Sequence, residues 1–252
     1  MRTNTAKALL RNGQVAVGTM CTTSSSLMAE ALGHAGYDFL IVDLQHGENN
    51  LANVQVMLQA VSATPAIPLV RVPAISPLYL QRALDLGAYG VIVPMVNTRA
   101  DAEEIMRSVR YAPVGSRSWG PVRGALYGGA DYFAKSHEEL LTIAMIETAD
   151  ALANARAILE TPGIDGCFIG PNDLSISLGF GSEQSELPMR VEQAIASIVA
   201  AAASAGKAAG MQVYSARSAQ QRIEQGIRFI SVQSDLRMAR AAASEALRTL
   251  RP

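Results

Sequence analysis

The chain has 252 residues, 49% of them hydrophobic, a length that suits one large α/β barrel or two smaller domains. Its formal net charge of -1 gives no electrostatic indication of a nucleic-acid or membrane-surface partner. Cys21 and Cys167 lie far apart and match no redox or metal-binding spacing, so we expect both thiols to be buried and reduced. The amino-terminal residues contain no apolar signal core, and we therefore expect a cytoplasmic protein.

Short apolar runs recur along the chain and are separated by amphipathic segments of helical character. The runs lack the alternation of a half-exposed strand, which is typical of parallel strands covered on both faces. Several of the amphipathic segments end in a glycine just before the next run, as helices do when a short turn follows. The predicted strands cover residues 15–20, 38–44, 68–72, 90–96, 141–147, 166–170, 208–213 and 228–233.

Eight strands with intervening helices predict one (β/α)8 TIM barrel over residues 1–252. A doubly wound α/β sheet is the alternative, although no G-x-G-x-x-G dinucleotide signature follows any strand. Residues 111–140 form a long connection that contains the only tryptophan, Trp119. We interpret this segment as an extended loop after the fourth strand that covers the active-site face, with solvated decoration as the alternative.

Polar residues occur where several predicted strands end, and in a barrel those ends carry the reactive groups. Each also has a structural alternative, such as a helix cap, a first helical turn, a loop hydrogen bond or an ion pair. The first, fourth, seventh and eighth predicted strands offer only weaker candidates, which are Thr19, Asn97, Gln212 and Gln233. The stronger candidates are Asp43, Gln45, His46, Arg71, Glu147, Asn172 and Asp173.

Two carboxylates with few basic neighbours in the sequence indicate a hard divalent cation such as Mg²⁺ or Mn²⁺. The stretch GPNDLS adds backbone N–H groups at a predicted helix start, where a substrate carboxylate can bind. These features, with Arg71 and His46, fit a 2-oxo acid. A cation and Arg71 would stabilise its enolate while a base near His46 moves protons.

Six segments of the chain resemble the metal-dependent class II pyruvate aldolases of the HpcH/HpaI family. The match as a whole runs in order from about residue 15 to at least residue 235, without a large gap. That family includes the hydroxy-heptenedioate, 2-keto-3-deoxy-rhamnonate and 2-dehydro-3-deoxy-glucarate aldolases. The segments are GYDFLIVDLQHGENNLANVQ, PLVRVP, LDLGAYGVIVPMV, RYAPVGSRSWG, IETADALANARAIL and GIDGCFIGPNDLS.

The resemblance implies a barrel of the phosphoenolpyruvate/pyruvate type and a lyase. Its expected reaction is the reversible cleavage of a 4-hydroxy-2-oxo acid to pyruvate, or a related 2-oxo acid, and an aldehyde. It implies a divalent cofactor, Mg²⁺, Mn²⁺ or Co²⁺, and small-molecule substrates, with no nucleic-acid or membrane partner. Relatives of this kind form hexamers, so we expect a trimer of dimers in which a C-terminal helix over residues 236–249 makes contacts between copies.

The resemblance also assigns roles to individual residues. It implies that His46 is the catalytic histidine, that Asp85 in ALDLGA pairs with it, and that Asp43 is a further acid at the same rim. Arg71 would stabilise the enolate. The metal ligands would be Glu147 and Asp173. The substrate would be bound by Arg71, Gly170, Pro171, Asn172 and Asp173, with backbone amides at Asn172 and Asp173 on the pyruvate carboxylate.

The chain departs from the family pattern at three places: Met145, Met20 and Gln45, where relatives often have Gln, an aromatic residue and Glu. None of these departures changes a residue expected to bind the metal or to stabilise the enolate. We expect Met145 and residues 111–140 to influence the choice of aldehyde. The alternative functions are an oxaloacetate decarboxylase or macrophomate-synthase-like enolate enzyme, and a non-catalytic barrel that binds 2-oxo acids.

Overall fold

The structure is a computed structural model that describes residues 1–181 and 187–251. Eight parallel strands close into a barrel in sequence order, and β8 pairs back to β1. The prediction of a (β/α)8 barrel is confirmed, and the doubly wound alternative is wrong because the sheet has no free edge. The strands are β1 Ala16–Cys21, β2 Phe39–Asp43, β3 Ile67–Arg71, β4 Gly90–Val93, β5 Leu141–Ile146, β6 Gly166–Ile169, β7 Ala208–Val213 and β8 Phe229–Ser234.

Helices surround the barrel and connect successive strands. They are α1 Thr5–Arg11, α2 Ser26–Gly33, α3 Val54–Ser62, α4 Pro77–Asp85, α5 Arg99–Val109, α6 Val122–Gly128, α7 Tyr132–Glu139, α8 Ala149–Ala153, α9 Ala155–Leu159, α10 Pro171–Ser177, α11 Met189–Ser204, α12 Ala216–Glu224 and α13 Asp235–Leu250. No helix in the described part of the chain combines the length and the hydropathy needed to cross a lipid bilayer.

Each strand is buried on both faces, which explains its continuous apolar sequence. In β2, Phe39 and Ile41 belong to the core inside the barrel, whereas Leu40 and Val42 pack in the layer between strands and helices. Because side chains alternate along a strand, the next inward position is Asp43, at the C-terminal end of β2. The alternation of inward and outward side chains along β2 therefore places the Asp43 carboxylate at the mouth of the barrel.

Helix α1 closes the N-terminal end of the barrel. The Asn4 side-chain amide donates to the backbone oxygens of Tyr89, at 3.0 Å, and Glu139, at 2.9 Å. The Lys7 ammonium donates to the Leu140 oxygen at 2.7 Å and pairs with Asp165 at 2.8 Å. These residues precede β4, β5 and β6, so α1 seals the end where the strands begin.

Within one chain, residues 111–140 do not cover the active-site face, contrary to our interpretation of the sequence. Helix α5 already follows β4 and returns the chain to the N-terminal end before the segment begins. The segment contains α6 and α7, and the Arg2 amide donates to the Gly128 oxygen at 2.8 Å, beside α1. It therefore lies at the end of the barrel opposite the strand ends that carry the candidate site residues.

Candidate active site

A cavity of about 720 Å³ opens at the C-terminal ends of the strands. Its walls come from the ends of β1, β2, β3, β5, β6, β7 and β8, from α10 and from one face of α13. The predicted site residues Asp43, His46, Arg71, Asn172 and Asp173 all line it. The barrel thus brings together residues that are far apart in the sequence.

Asp43 and Arg71 form a buried ion pair at the base of the cavity. Arg71 donates from Nε to Asp43 Oδ1 at 2.8 Å and from Nη2 to Asp43 Oδ2 at 2.6 Å. Asp43 is fully buried and also accepts from the Gln45 amide at 3.0 Å. This bidentate geometry fixes the guanidinium plane and leaves Arg71 Nη1 without a hydrogen bond to the described residues. Asp43 therefore positions Arg71 and is not a free acid.

His46 lies in the loop after β2, where it is exposed and lines the cavity. Its backbone N–H approaches Asp43 Oδ1 at 3.4 Å, so the same buried carboxylate orients the loop. The imidazole forms no hydrogen bond or ion pair with the described residues. It is free to contact a molecule bound in the cavity.

The structure does not bring Asp85 to His46 within one chain. Asp85 is the last residue of α4, which starts after the C-terminal end of β3 and runs back to the N-terminal end of the barrel. There it accepts a hydrogen bond from Arg117 Nη2 at 2.7 Å. The expected pairing of the two residues is therefore absent from the single chain, because they lie at opposite ends of the barrel.

Glu147 follows β5 and is buried beside the cavity. Its Oε1 accepts from the Met95 amide at 2.8 Å, and Met95 has a φ of 56°, a conformation uncommon for residues other than glycine. A Cβ atom at Gly170 would lie 2.5 Å from Glu147 Oε2, so a side chain there would displace the Glu147 carboxylate. Burial raises the pKa of Glu147, the Met95 N–H opposes that shift, and the negative charge of Asp173 adds to it.

The donor set around Glu147 fits a hard divalent cation. Neither Glu147 nor Asp173 forms a salt bridge with a described residue. The described residues contain no cluster of three or more His, Cys, Asp or Glu side chains that could hold a metal alone. Two carboxylates with further ligands from water and substrate are the usual pattern for Mg²⁺. Bringing a buried carboxylate close to a second one is costly unless a cation neutralises them.

The stretch after β6 begins α10 with Gly170 as the N-cap and Pro171 as the first helical residue. The first hydrogen bond of the helix runs from the Leu174 amide to the Gly170 oxygen at 2.9 Å. The amides of Asn172 and Asp173 therefore have no partner within the helix. The alternative in which Asp173 is the N-cap is wrong, because that position belongs to Gly170.

One wall of the cavity comes from β7, β8 and α13, and the contribution of α13 to the site was not expected from the sequence. Gln212 and Gln233 line it from the strands, and Arg237 and Arg240 line it from the helix. Arg237 also lies over the ring of Tyr214, with its guanidinium carbon 4.4 Å from the ring centroid. The three-residue spacing of the two arginines directly after β8 was the available signal for this wall.

Comparison with known proteins gives a consistent result. Residues 18–242 match the family model described as HpcH/HpaI aldolase/citrate lyase. The chain is 38% identical to a hydroxypyruvate/pyruvate aldolase of Rhizorhabdus wittichii, over 97% of both chains. It is 36% identical to a 4-hydroxy-2-oxo-heptane-1,7-dioate aldolase of Shigella sonnei, over 97% of this chain and 93% of that one. A crystal structure of a family member from Burkholderia cenocepacia J2315 superposes with a TM-score of 0.93 at 36% identity, covering 99% of this chain and 100% of that chain.

Proposed function

The chain belongs to the HpcH/HpaI aldolase/citrate lyase family, and on that premise we propose that it is a divalent-metal-dependent pyruvate aldolase. It cleaves a 4-hydroxy-2-oxo acid reversibly to pyruvate, or a related 2-oxo acid, and an aldehyde, in a barrel of the phosphoenolpyruvate/pyruvate type. One observation carries the proposal. Asp173 lines the cavity and Glu147 lies buried beside it, both without a salt-bridge partner among the described residues, and the same cavity holds an arginine that a buried aspartate fixes in place.

Glu147 and Asp173 would hold Mg²⁺, Mn²⁺ or Co²⁺, which when bound supplies a Lewis acid that polarises the carbonyl of the 2-oxo acid. The backbone amides of Asn172 and Asp173 would bind the substrate carboxylate, because they have no partner within α10. These contacts orient the substrate. They persist in the ground state, so they contribute chiefly to binding.

Arg71 acts on charge that develops during the reaction. When the bond between C3 and C4 breaks, its electron pair moves to C3 and onto the C2 oxygen, which becomes an enolate. Arg71 has an Nη1 group available for this oxygen, since its other edge is held by Asp43. A preorganised cation that meets charge formed only in the transition state lowers the barrier directly.

His46 is the proposed base for cleavage. Its imidazole accepts the proton of the C4 hydroxyl as the C4 oxygen becomes the aldehyde carbonyl, and a proton must then reach C3 to give pyruvate. The exposed position of His46 at the cavity mouth suits this exchange with solvent. Histidine is the side chain that most often transfers protons in general acid–base catalysis.

We also propose that the protein is a hexamer, a trimer of dimers in which α13 makes contacts between copies. The exposed leucines of this helix support the proposal: Leu236 and Leu247 are each 50% exposed and Leu250 is 76% exposed. Because His46 and Asp85 lie at opposite ends of one barrel, a contact between them requires two copies. Light scattering during size-exclusion chromatography tests the assembly; a mass of six chains is expected, and a monomer would contradict it.

The reaction is tested by following pyruvate release from a 4-hydroxy-2-oxo acid with wild type and His46→Ala. We expect cleavage to fall on the order of a thousand-fold in the variant, because the base is lost. Oxaloacetate decarboxylation should persist, since it needs the stabilised enolate and no base at C4. His34→Ala, at an exposed histidine after α2, is the matched control and should retain both activities. Equal cleavage by His46→Ala and wild type would refute the assigned base.

A further inference from the structure

Gln212 points into the barrel near the C-terminal end of β7, and its amide orientation is fixed by the structure. Its Nε2 donates to the backbone oxygen of Gln233 at 2.6 Å. A carbonyl oxygen only accepts, so the nitrogen of the Gln212 amide must face Gln233 and the oxygen must face away. Gln212 lines the same cavity as Arg71 and Asp173.

The oxygen of the Gln212 amide accepts no hydrogen bond from the described residues. Gln212 Oε1 is buried and forms no hydrogen bond with any residue that the structure describes. Its neighbour across the β7–β8 ladder, Ser231, is fully buried and its hydroxyl also lacks a partner. Buried polar atoms are almost always hydrogen-bonded, so an orphaned acceptor on a cavity wall indicates a donor that comes from outside the chain.

The backbone that holds Gln212 is itself unusual. Gln233 has a φ of 62°, in the left-handed region that residues other than glycine rarely adopt. The pairing of β1 with β8 shifts register beside it, between Gly18 and Met20. A residue other than glycine is strained in this conformation, and such residues cluster at ligand sites. Here the conformation directs the Gln233 carbonyl at the Gln212 amide and so aims the free oxygen.

The position of Gln212 separates it from the groups that act on the 2-oxo acid. In the closed barrel β7 lies four strands from β3, so Gln212 faces Arg71 across the mouth. Glu147 and Asp173 follow β5 and β6 on one side, and α13 covers the other. The side that the 2-oxo acid leaves open extends from His46, after β2, past β1 to the wall formed by β7, β8 and α13, and Gln212 borders the space available to the second reactant.

We infer that Gln212 is a specificity-determining residue that accepts a hydrogen bond from a hydroxyl group of the aldehyde. The inference rests on the proposed aldolase function and deepens it by naming the substrate class, hydroxylated aldehydes. The preference arises because a deoxy analogue leaves Gln212 Oε1 buried and unpaired, and a site built to pair with a hydroxyl rejects a ligand that lacks one.

The test compares pyruvate addition to glycolaldehyde and to propanal, which differ by a hydroxyl in place of a methyl group. Wild type should favour glycolaldehyde in kcat/KM by at least about ten-fold, with concentrations expressed as free aldehyde. In Gln212→Met, which keeps the side-chain length and removes the acceptor, the ratio of the two kcat/KM values should fall about ten-fold. Gln221→Met makes the same chemical change on the exposed face of α12 and should retain the wild-type ratio.

Exchange of the pyruvate methyl protons with deuterium, measured on the same samples, separates the possible failures. Metal-dependent exchange in wild type with an unchanged aldehyde ratio in Gln212→Met would overturn the role of Gln212 and leave the aldolase proposal standing. Absence of exchange in wild type would overturn both. If Gln212→Met does not fold, the wild-type enzyme alone still tests the inference. A ratio of kcat/KM for glycolaldehyde to kcat/KM for propanal near one would contradict a hydrogen bond from the aldehyde hydroxyl to Gln212.

Discussion

The two ends of the barrel both bury charged side chains, but they treat them differently. At the N-terminal end, Lys7 pairs with Asp165, which also accepts from the Thr142 amide at 2.8 Å. At the C-terminal end, Glu147 has one backbone donor and a second carboxylate, Asp173, as its neighbour. The Lys7 charge is therefore neutralised within the chain, whereas Glu147 and Asp173 have no salt-bridge partner among the described residues. Neighbouring carboxylates without a cationic partner therefore distinguish the end that carries the candidate site.

Glu147→Gln tests this difference at the C-terminal end, where we expect the largest effect. It removes a proposed metal ligand, so we expect pyruvate methyl exchange to fall on the order of a thousand-fold. Thermal stability measured without metal should stay the same or rise, because a buried and poorly neutralised carboxylate is gone. Glu160→Gln, at an exposed glutamate paired with Arg156, is the matched control and should retain exchange. A large loss of stability in Glu147→Gln would mean that its charge is satisfied within the chain.

Lys7→Met is the corresponding change at the N-terminal end and should give the opposite pattern. It leaves the Asp165 carboxylate without its ammonium partner, which we expect to lower the free energy of unfolding by roughly 3 kcal/mol. Exchange activity per folded chain should not change. Denaturant unfolding checks the first expectation, with Lys135→Met, at a lysine whose side chain is 53% exposed, as the control. Loss of activity without loss of stability would contradict the structural role given to this end.

Arg71→Lys tests the ion pair inside the candidate site. Asp43 neutralises Arg71, but the guanidinium can still contact a ligand through Nη1. Lysine cannot make the bidentate contact with Asp43, so the cation is no longer held in one place. We expect kcat for pyruvate exchange to fall about a hundred-fold, with a smaller change in KM. An unchanged kcat would mean that Arg71 only neutralises Asp43.

The N-terminal end should also respond to pH. Burial lowers the pKa of Lys7 to about 8, with Asp165 acting in the opposite direction. Its ordinary value is 10.5, so above pH 8 the unfolded chain binds more protons than the folded one, and stability rises with pH. The difference in unfolding free energy between wild type and Lys7→Met should grow by roughly 2 kcal/mol from pH 7.5 to pH 9.5. A difference that shrinks over this range would contradict the assigned direction.

Much of the fold and part of the site are readable in the sequence for physical reasons. Strands covered on both faces give continuous apolar runs, so all eight strands were predicted. Asp43, Arg71 and Glu147 interrupt such runs at their C-terminal ends, which places them at the barrel mouth. The remaining features of the site depend on the end of the barrel at which a helix terminates and on the backbone dihedral angles of single residues. The direction of α4 separates Asp85 from His46, and the left-handed conformation of Gln233 aims Gln212; neither has a local signature in the sequence.

The most direct test of the account is the exchange of pyruvate methyl protons in deuterium oxide, followed by proton NMR with Mg²⁺ and then with excess chelator. Exchange requires the enolate but no aldehyde, so it isolates the chemistry assigned to Glu147, Asp173 and Arg71. We expect rapid exchange with Mg²⁺, loss of exchange with chelator and recovery when Mg²⁺ is restored. Exchange that persists in chelator, or no exchange under any of these conditions, would contradict the metal-dependent enolate chemistry proposed for this cavity.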